Sequence, residues 1–307
     1  MSVTFQNEKF EQYFSQTYGS RWSELFKALT AKDFQILRLN KFAQYSEINQ
    51  FNKMSFGHAY LDSFEQCFLV HSDVNVHNLM DANSIHVFYK MDPASYIVAR
   101  ALDVQHEDIV LDLCAAPGGK SLILAEALNG TGQLISNEYS NARRERLTRV
   151  IKEYIPFDIR QNIFVQGKDG NAFGLHYKET FDRILADVPC SGERHLLENS
   201  QEFSEWTKRR SENLAIRQYS LLSSAYLACK KQGRIVYSTC SISPLENDHV
   251  VAKLVKKKDV KVLRPDWLDQ IAFVEKTDFG YCILPDTTVG GVSGLGPMYF
   301  SVIEKIS

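Results

Sequence analysis

Residues Val110-Leu-Asp-Leu-Cys-Ala-Ala-Pro-Gly-Gly-Lys-Ser121 decide the fold of this chain. The apolar, partly β-branched run Ile109–Leu113 predicts a buried parallel strand. A tight Ala-Ala-Pro-Gly-Gly turn follows, and Lys120–Leu128 then shows apolar residues at helical spacing. A strand, a glycine turn and a helix form the first unit of a doubly wound sheet, in which ligands bind at the carboxyl ends of the strands. The glycines allow close approach of the backbone to a ligand, and the helix N-terminus offers free amides to an anionic group such as a carboxylate.

The spacing of these glycines excludes two phosphate-binding motifs. A dinucleotide-binding turn has the pattern Gly-x-Gly-x-x-Gly, and a P-loop has a further glycine five residues before the second one, which is missing here. Taken alone, the turn is also compatible with an ordinary strand-to-helix corner that binds nothing. Two cysteine-containing stretches further along the chain favour a ligand site.

The length and composition are those of an ordinary globular protein with room for one large domain and an appendage, or for two domains. The chain has 307 residues, of which 44% are hydrophobic and 23% are charged. We predict a mainly helical N-terminal extension over residues 1–84 and an α/β domain over residues 85–307. Within the extension, residues 1–40 show helical spacing of aromatic and aliphatic side chains, whereas residues 40–83 give no clear pattern.

Strands alternate with helices in the second region, which predicts a mainly parallel sheet. Asp92 and Pro93 favour the start of a helix, as its N-cap and its first residue. Further helices are predicted over Ser211–Cys229 and Pro244–Lys256. The predicted strands are Ile85–Tyr89, Ile109–Leu113, Gly132–Ser136, Ile163–Val165, Phe181–Ala186, Gly233–Cys240, Ala272–Val274 and Met298–Ile303.

Net charge and hydropathy argue against two classes of protein. A formal net charge of -2 argues against a broad, non-specific nucleic-acid binder, so any RNA contact must come from local basic patches. Candidates are Lys208–Arg210 with Arg217, and Lys256–Lys258, although a solvated surface is the simpler explanation of each. No apolar run approaches the roughly 18 residues that cross a bilayer. The N-terminus has neither a secretory nor an arginine-rich transit character, which favours a cytoplasmic protein, with a processed mitochondrial protein as the alternative.

The cysteines and histidines do not predict a metal site. The chain has six cysteines, none in a Cys-x-x-Cys pair, and His58, His71, His77 and His86 lack metal-ligand spacing. We therefore expect no metal and reduced thiols.

Two of the cysteines occupy matching positions, each just past the end of a predicted core strand. They belong to Asp187-Val-Pro-Cys190 and Ser238-Thr-Cys240. In a doubly wound sheet these strand ends line one crevice together with the glycine turn. A thiol there, near Lys120 and helix N-termini, can have a lowered pKa and act as a nucleophile. The alternative is a pair of buried, inert thiols, but two thiols with Asp187 at one crevice favour chemistry.

These groups match the requirements of methylation at carbon 5 of a pyrimidine. That carbon is a poor nucleophile until a thiolate adds to carbon 6 and makes carbon 5 enamine-like. A carboxyl group at N3 stabilises the developing charge, and a base must later remove the proton from carbon 5. The target base must be unpaired or flipped out, because carbon 6 is inaccessible in a stack.

An acidic residue lies where a ribose is usually held in such folds. Glu138 follows the predicted strand Gly132–Ser136, about 20 positions beyond the glycine turn. A cap for the following helix is the alternative role for this side chain.

Three motifs resemble the Sun/Nop (Fmu-type) RNA cytosine-5 methyltransferases over about residues 85–305. They are Leu111-Asp-Leu-Cys-Ala-Ala-Pro-Gly-Gly-Lys120, Asp187-Val-Pro-Cys-Ser-Gly192 and Tyr237-Ser-Thr-Cys-Ser241 with Glu246-Asn247. The mitochondrial ribosomal-RNA and tRNA members are the most similar. The resemblance implies an S-adenosylmethionine-dependent Rossmann-like fold, with a mostly parallel seven-stranded sheet whose last strand is antiparallel.

The resemblance also implies roles for individual residues. Cys240 would be the nucleophile and Cys190 would assist proton removal and release, although the residues alone do not rank the two thiols. Asp187 would contact the cytosine, and Lys120 would lie in the catalytic pocket. Glu138 would bind the cofactor ribose, where the family often has the shorter Asp. The residues implied to hold S-adenosylmethionine are Cys114, Ala115, Ala116, Pro117, Gly118, Gly119, Lys120, Glu138, Arg143, Asp169, Gly170 and Asp187.

The expected substrate is RNA, with rRNA favoured over tRNA. The sequence has no recognisable RNA-binding extension such as a PUA domain, and the similar mitochondrial rRNA enzymes also lack one and depend on a protein partner. We therefore expect a monomer that acts on RNA, with a protein partner as an open question. The alternative is a non-catalytic ribosome-assembly or RNA-binding factor that keeps the fold, although intact Cys190, Cys240, Asp187 and Lys120 count against it. Methyl transfer to an amino group is disfavoured, because Asp187-Val-Pro-Cys190 lacks the Asn/Asp-Pro-Pro-aromatic pattern.

Overall fold

The computed structural model describes residues 7–31, 34–44, 67–74, 79–287 and 294–307. Its helices are α1 (Glu8–Tyr18), α2 (Trp22–Thr30), α3 (Pro93–Ala101), α4 (Gly119–Leu128), α5 (Asn141–Tyr154), α6 (Phe173–His176), α7 (Glu193–Glu198), α8 (Ser200–Ser204), α9 (Lys208–Ala228) and α10 (Asp248–Lys257). Its strands are β1 (Phe34–Leu39), β2 (Cys67–His71), β3 (Phe88–Met91), β4 (Ile109–Asp112), β5 (Gln133–Asn137), β6 (Ile163–Gln166), β7 (Phe181–Asp187), β8 (Cys229–Thr239), β9 (Val260–Leu263), β10 (Glu275–Lys276), β11 (Tyr281–Ile283) and β12 (Met298–Lys305).

The large sheet has the predicted parallel centre and an antiparallel end. Strands β6, β5, β4, β7 and β8 lie side by side and are parallel. Strand β12 then pairs antiparallel with β8, and β11 and β10 continue antiparallel beyond it. Because the central strands are parallel, their carboxyl ends all reach the same edge of the sheet.

The described part of this sheet has nine strands instead of the predicted seven. The reason is the length of β12, which carries two separate partners on its outer edge. Strand β11 pairs with Met298–Phe300 and β9 pairs with Val302–Lys305. The predicted strand at Ala272–Val274 is wrong: these residues form a turn whose Phe273 is buried in the core. A short apolar run does not distinguish a strand from a buried turn.

The prediction of helix throughout residues 1–40 is wrong at β1, which pairs antiparallel with β2 and β3 in a three-stranded sheet. Ile36 packs into the main core, whereas Leu37 and Leu39 belong to a separate hydrophobic cluster. This alternation between two clusters has the period of a strand. Most of the segment 40–83 lies outside the described residues, and β3 includes part of the predicted strand Ile85–Tyr89.

Helices α1 and α2 attach to the region that follows β7. Their buried faces contribute Phe10, Phe14 and Trp22 to an aromatic cluster that also contains Trp206. At its N-terminus α1 is capped by Asn7, whose side chain also donates to the carbonyl of Phe203. The N-terminal helices therefore support the chain just beyond the cysteine-containing loops.

Candidate active site

The turn between β4 and α4 is held in place by packing as much as by backbone conformation. Gly118 has φ +119°, and a Cβ atom there would lie 3.0 Å from Val150 of α5. A Cβ atom on Gly119 would lie 2.6 Å from the ring of Tyr89. Neighbouring side chains therefore leave little room for a Cβ atom at either position. The sequence alone did not reveal this reason for the two glycines.

Lys120 and Asp187 form an ion pair at the carboxyl edge of the sheet. The Lys120 Nζ donates to Asp187 Oδ2 at 2.8 Å and to Ser95 Oγ at 3.1 Å. Ser238 Oγ donates to the other oxygen, Asp187 Oδ1, at 2.7 Å. Burial opposes the charge of Lys120, but Asp187 outweighs this, and the pKa of Lys120 is raised. Lys120 therefore stays charged, and the orientation of the Asp187 side chain is fixed on both sides.

The two predicted thiols touch each other beside this ion pair. Cys190 follows β7 and Cys240 follows β8, and because these strands are neighbours, the two sulfur atoms lie 2.6 Å apart. Both thiols are free and neither is fully buried, which argues against inert core cysteines. A disulfide bond would bring the sulfurs to about 2.05 Å.

The thiol pair, Cys190 and Cys240, carries one negative charge at most. The contact with Cys240, followed by burial, raises the pKa of Cys190. Cys240 lies near enough to Lys120 to interact with it electrostatically. A thiol pair next to Lys120 and Asp187 provides the groups needed for nucleophilic and acid–base chemistry.

A buried carboxyl clamp joins the two cysteine-containing loops. It consists of Ser191, Glu193, Ser241 and Glu246. Ser191 N and Oγ donate to Glu246 at 3.0 and 2.6 Å. Ser191 Oγ also contacts Glu193 Oε1, which accepts from Ser241 Oγ at 3.1 Å, while Glu193 Oε2 accepts from the Ile242 N–H at 3.0 Å. The clamp therefore fixes the backbone next to both thiols.

One carboxyl of the clamp must carry a proton. The Ser191 hydroxyl contacts a carboxyl oxygen of both Glu193 and Glu246 but has a single proton to donate. Burial, followed by the nearby Glu246 carboxylate, raises the pKa of Glu193 to about 7. We assign the proton to Glu193, which can then donate to Ser191 while Ser191 donates to Glu246.

Replacement of Glu193 by glutamine is expected to flatten the dependence of stability on pH. The raised pKa favours the protonated side chain in the folded state, so its stabilisation is complete below the unfolded pKa and is lost as pH rises through about 7. Glutamine keeps a donor and an acceptor without titrating. Between about pH 5 and 8, the variant should gain on the order of 1–3 kcal/mol in unfolding free energy relative to wild type.

Chemical denaturation across this pH range measures the effect. Glu198→Gln is the matched control, because Glu198 lies exposed at the end of the same helix, α7. Parallel pH profiles for wild type and Glu193→Gln would contradict the assignment of the proton.

The predicted ribose-binding residue, Glu138, is connected to the glycine turn through Arg143. Glu138 is 5% exposed, and its Oε1 accepts from the Ser140 N–H at 2.9 Å. Its Oε2 has no hydrogen-bond partner, although Arg143 lies 3.4 Å away. Arg143 in turn donates to the carbonyl of Ala116 at 2.9 Å. Glu138 therefore caps the following helix and also presents a buried oxygen that is free to accept from a ligand.

Asp112 is the last residue of β4, and Cys114 lies two residues later, directly before the glycine turn. Asp112 accepts from Ser121 Oγ at 2.6 Å, while its Oδ1 is buried without a hydrogen bond. Burial raises its pKa to about 7, and burial also raises the pKa of Cys114. Sequence reasoning did not select Asp112. Its position as an acidic residue at the end of an apolar strand could have indicated it.

Asp169 and Gly170 lie just past β6, at the same edge of the sheet. Asp169 is exposed and uses Oδ1 to cap the next turn by accepting from Asn171. Gly170 is buried, and a Cβ there would lie 2.6 Å from Leu221. Asn137 connects this loop to the glycine turn, since it bonds both Leu113 and Lys168.

The structure brings all of the predicted site residues to the carboxyl edge of the parallel strands. Sequence reasoning missed the groups that orient them: Ser95, Asp112, Ser191, Glu193, Gln218, Ser238 and Ser241. Gln218 of α9, for example, donates to Glu246 at 2.8 Å and to the carbonyl of Pro189 at 3.0 Å. No local sequence pattern indicates such contacts, because they join elements that are distant along the chain.

The described residues show neither a cluster of metal-binding side chains nor a helix that could span a membrane. They contain no group of three or more His, Cys, Asp or Glu side chains arranged to hold a metal ion. Within the same residues, every helix is too short or too polar to traverse a bilayer.

Comparison with known proteins identifies related sequences. The profile of the family described as 16S rRNA methyltransferase RsmB/F matches residues 99–290. The 5-cytosine rRNA methyltransferase NSUN4 of Mus musculus is 37% identical over 237 residues, which cover 71% of this chain and 60% of that protein. The mitochondrial tRNA (cytosine(34)-C(5))-methyltransferase of Mus musculus is 28% identical over 315 residues, which cover 97% of this chain and 89% of that enzyme. The chain thus spans about three-fifths of the length of the rRNA relative, at 60%.

Solved structures show the same fold. NSun6 from Pyrococcus horikoshii, determined with SFG, has a TM-score of 0.75 and 16% identity, and the superposition covers 98% of both chains. The predicted Rossmann-like methyltransferase fold is therefore confirmed.

Proposed function

The chain belongs to the 16S rRNA methyltransferase RsmB/F family, and from this premise we propose that it methylates carbon 5 of a cytosine in RNA. The family predicted from the three sequence motifs is confirmed by the match. The observation that carries the proposed activity is the thiol pair, 2.6 Å apart, next to the ion pair of Lys120 and Asp187. A pyrimidine ring needs a nucleophile at carbon 6, a carboxyl group at N3 and a base near carbon 5.

S-adenosylmethionine is the proposed cofactor, and the crevice fits it. The free, buried Oε2 of Glu138 is a suitable acceptor for ribose hydroxyls, and the N-terminus of α4 is suited to a carboxylate. Bound there, the cofactor supplies an electrophilic methyl group. The residues proposed to hold it are Cys114, Ala115, Ala116, Pro117, Gly118, Gly119, Lys120, Glu138, Arg143, Asp169, Gly170 and Asp187.

Cys240 is the proposed nucleophile. Its thiolate adds to carbon 6 of the cytosine, and Asp187, oriented by Ser238, relays a proton from the Lys120 ammonium group to N3 so that negative charge does not accumulate on the ring. Carbon 5 thereby becomes nucleophilic and forms a carbon–carbon bond with the methyl group.

Cys190 is the proposed aid to release. After methylation, carbon 5 loses its proton and the bond between carbon 6 and the Cys240 sulfur breaks. The Cys190 sulfur is 2.6 Å from that of Cys240, close enough to give its proton to the departing Cys240 sulfur and to take up the proton from carbon 5 in its place, while the N3 proton returns to Asp187.

The proposed substrate is rRNA, with tRNA next. The rRNA relative and the mitochondrial tRNA relative support these two classes, and the target base must leave its stack to reach the thiols. For the compartment, the mitochondrial relatives support the mitochondrial alternative over the cytoplasmic expectation. That the protein is a monomer stays a prediction, and its use of a protein partner for RNA targeting stays an open question.

Bisulfite sequencing of rRNA and tRNA from a deletion strain tests this function directly. We expect one cytosine to lose its methyl group and purified protein with S-adenosylmethionine to restore it on the extracted RNA. Unchanged cytosines in both RNA classes would instead support a non-catalytic RNA-binding factor.

Glu138→Ala is expected to weaken S-adenosylmethionine binding by roughly 1–3 kcal/mol, the usual loss for hydrogen bonds to a charged group. Isothermal titration calorimetry measures this change. Glu145→Ala is the control, since Glu145 is exposed on the same helix, α5. Because Glu138 also caps α5, thermal unfolding must show that the variant is folded. An unchanged affinity would remove Glu138 from the cofactor site.

A further inference from the structure

A basic cavity adjoins the thiol pair on the side of α9. It has a volume of about 460 Å³, and its wall includes Cys190, Thr207, Arg209, Arg210, Asn213 and Arg217. The cavity therefore shares Cys190 with the proposed catalytic site. The rest of its wall comes from the N-cap and first turns of α9. Three arginines and no carboxylate line it, so it suits an anion.

The arginines are only partly neutralised by the protein. Arg210 pairs with Glu202 at 3.1 Å, whereas no ion pair of Arg209 or Arg217 is found among the described residues. All three belong to one helix of 21 residues. Two exposed guanidinium groups therefore remain available at the cavity.

The N-terminal turn of α9 carries positive side chains that destabilise the helix. Its first turn contains no acidic residue, its N-cap Thr207 makes no side-chain capping bond, and Lys208, Arg209 and Arg210 add positive charge. Positive side chains at the positive end of a helix dipole destabilise the helix, and a bound anion reverses this.

We infer that this cavity binds a backbone phosphate of the RNA, next to the cytosine that reaches Cys240. The inference rests on the proposed function and adds the group that positions the substrate strand. Arginine forms bidentate hydrogen bonds with phosphate, and Arg209 and Arg217 supply two such forks. Because Cys190 forms part of the wall, a phosphate there belongs to the target nucleotide or to its neighbour.

The double variant Arg209→Gln/Arg217→Gln tests the inference by fluorescence anisotropy with a labelled oligocytidylate, without cofactor. We expect about tenfold weaker binding than wild type. The slope of log affinity against log salt should fall by roughly 0.7 for each phosphate that the variant no longer neutralises. Arg209→Lys/Arg217→Lys should retain the slope, because the charge remains.

Lys178→Gln is the matched control. Lys178 is an exposed cation just before β7, at the opposite end of the strand from Asp187. An unchanged affinity and salt slope in the double glutamine variant would overturn the inference, as would an equal effect of Lys178→Gln. Since binding is measured without methyl transfer, this failure is distinguishable from that of the proposed activity. If wild type methylates cytosine but the double glutamine variant shows no change in affinity or salt slope, the phosphate site is refuted and the proposed activity is not.

Discussion

Cys240→Ala is expected to abolish methyl transfer and to leave S-adenosylmethionine binding nearly unchanged. Without the sulfur no covalent bond forms to carbon 6, and carbon 5 of the cytosine stays a poor nucleophile. Loss of a covalent nucleophile reduces turnover by on the order of 10⁴-fold or more. Transfer of labelled methyl groups to RNA measures the rate, and calorimetry measures cofactor binding.

Cys282→Ala is the control for this experiment. Cys282 is also a free, partly exposed cysteine, but it lies on β11, which β12 separates from β8, the strand that precedes Cys240. Its replacement should leave the methylation rate close to that of wild type. Retained activity in Cys240→Ala would transfer the nucleophilic role to Cys190, the other sulfur within reach.

Cys190→Ala is expected to trap the protein on its RNA. Cys240 can still add to carbon 6, but the neighbouring sulfur that exchanges protons at the release step is gone. A covalent protein–RNA complex should therefore accumulate, visible as a band of reduced mobility in denaturing gels. Ribonuclease digestion should return the band to the position of the free protein.

The double variant Cys190→Ala/Cys240→Ala completes this test. It removes the sulfur that forms the bond, so the slow band should disappear with the same RNA. A slow band that persists in the double variant would show that another residue forms the adduct. No adduct with any rRNA or tRNA, from a folded Cys190→Ala protein, would count against the covalent mechanism and favour a binding factor.

The errors of sequence prediction occur where local pattern is ambiguous. The spacing predicts helix at residues 34–39, yet they form a strand because Ile36 and Leu37 face different hydrophobic clusters. The apolar run at 272–274 forms a turn, because β9 and β11 occupy the outer edge of β12. In both cases packing against distant elements outweighed local preference.

The site residues were easier to predict than the groups that support them. Asp187 and Cys240 follow recognisable strands, and parallel strands bring their ends to one edge. Glu193 gave no comparable signal, since an acidic residue beside a predicted loop is normally exposed. Only the folded chain shows that it is buried and hydrogen-bonded to both cysteine-containing loops.

The sequence by itself determined the parallel sheet, the edge at which the functional groups gather, and the types of those groups. These features follow from the periodicity of apolar residues and from residues adjacent to strand ends. The tertiary structure alone decided the contact between the two sulfurs, the shared proton of the carboxyl clamp and the arginine-lined cavity. Each of these depends on distances between segments far apart in the chain, and such distances are set by packing.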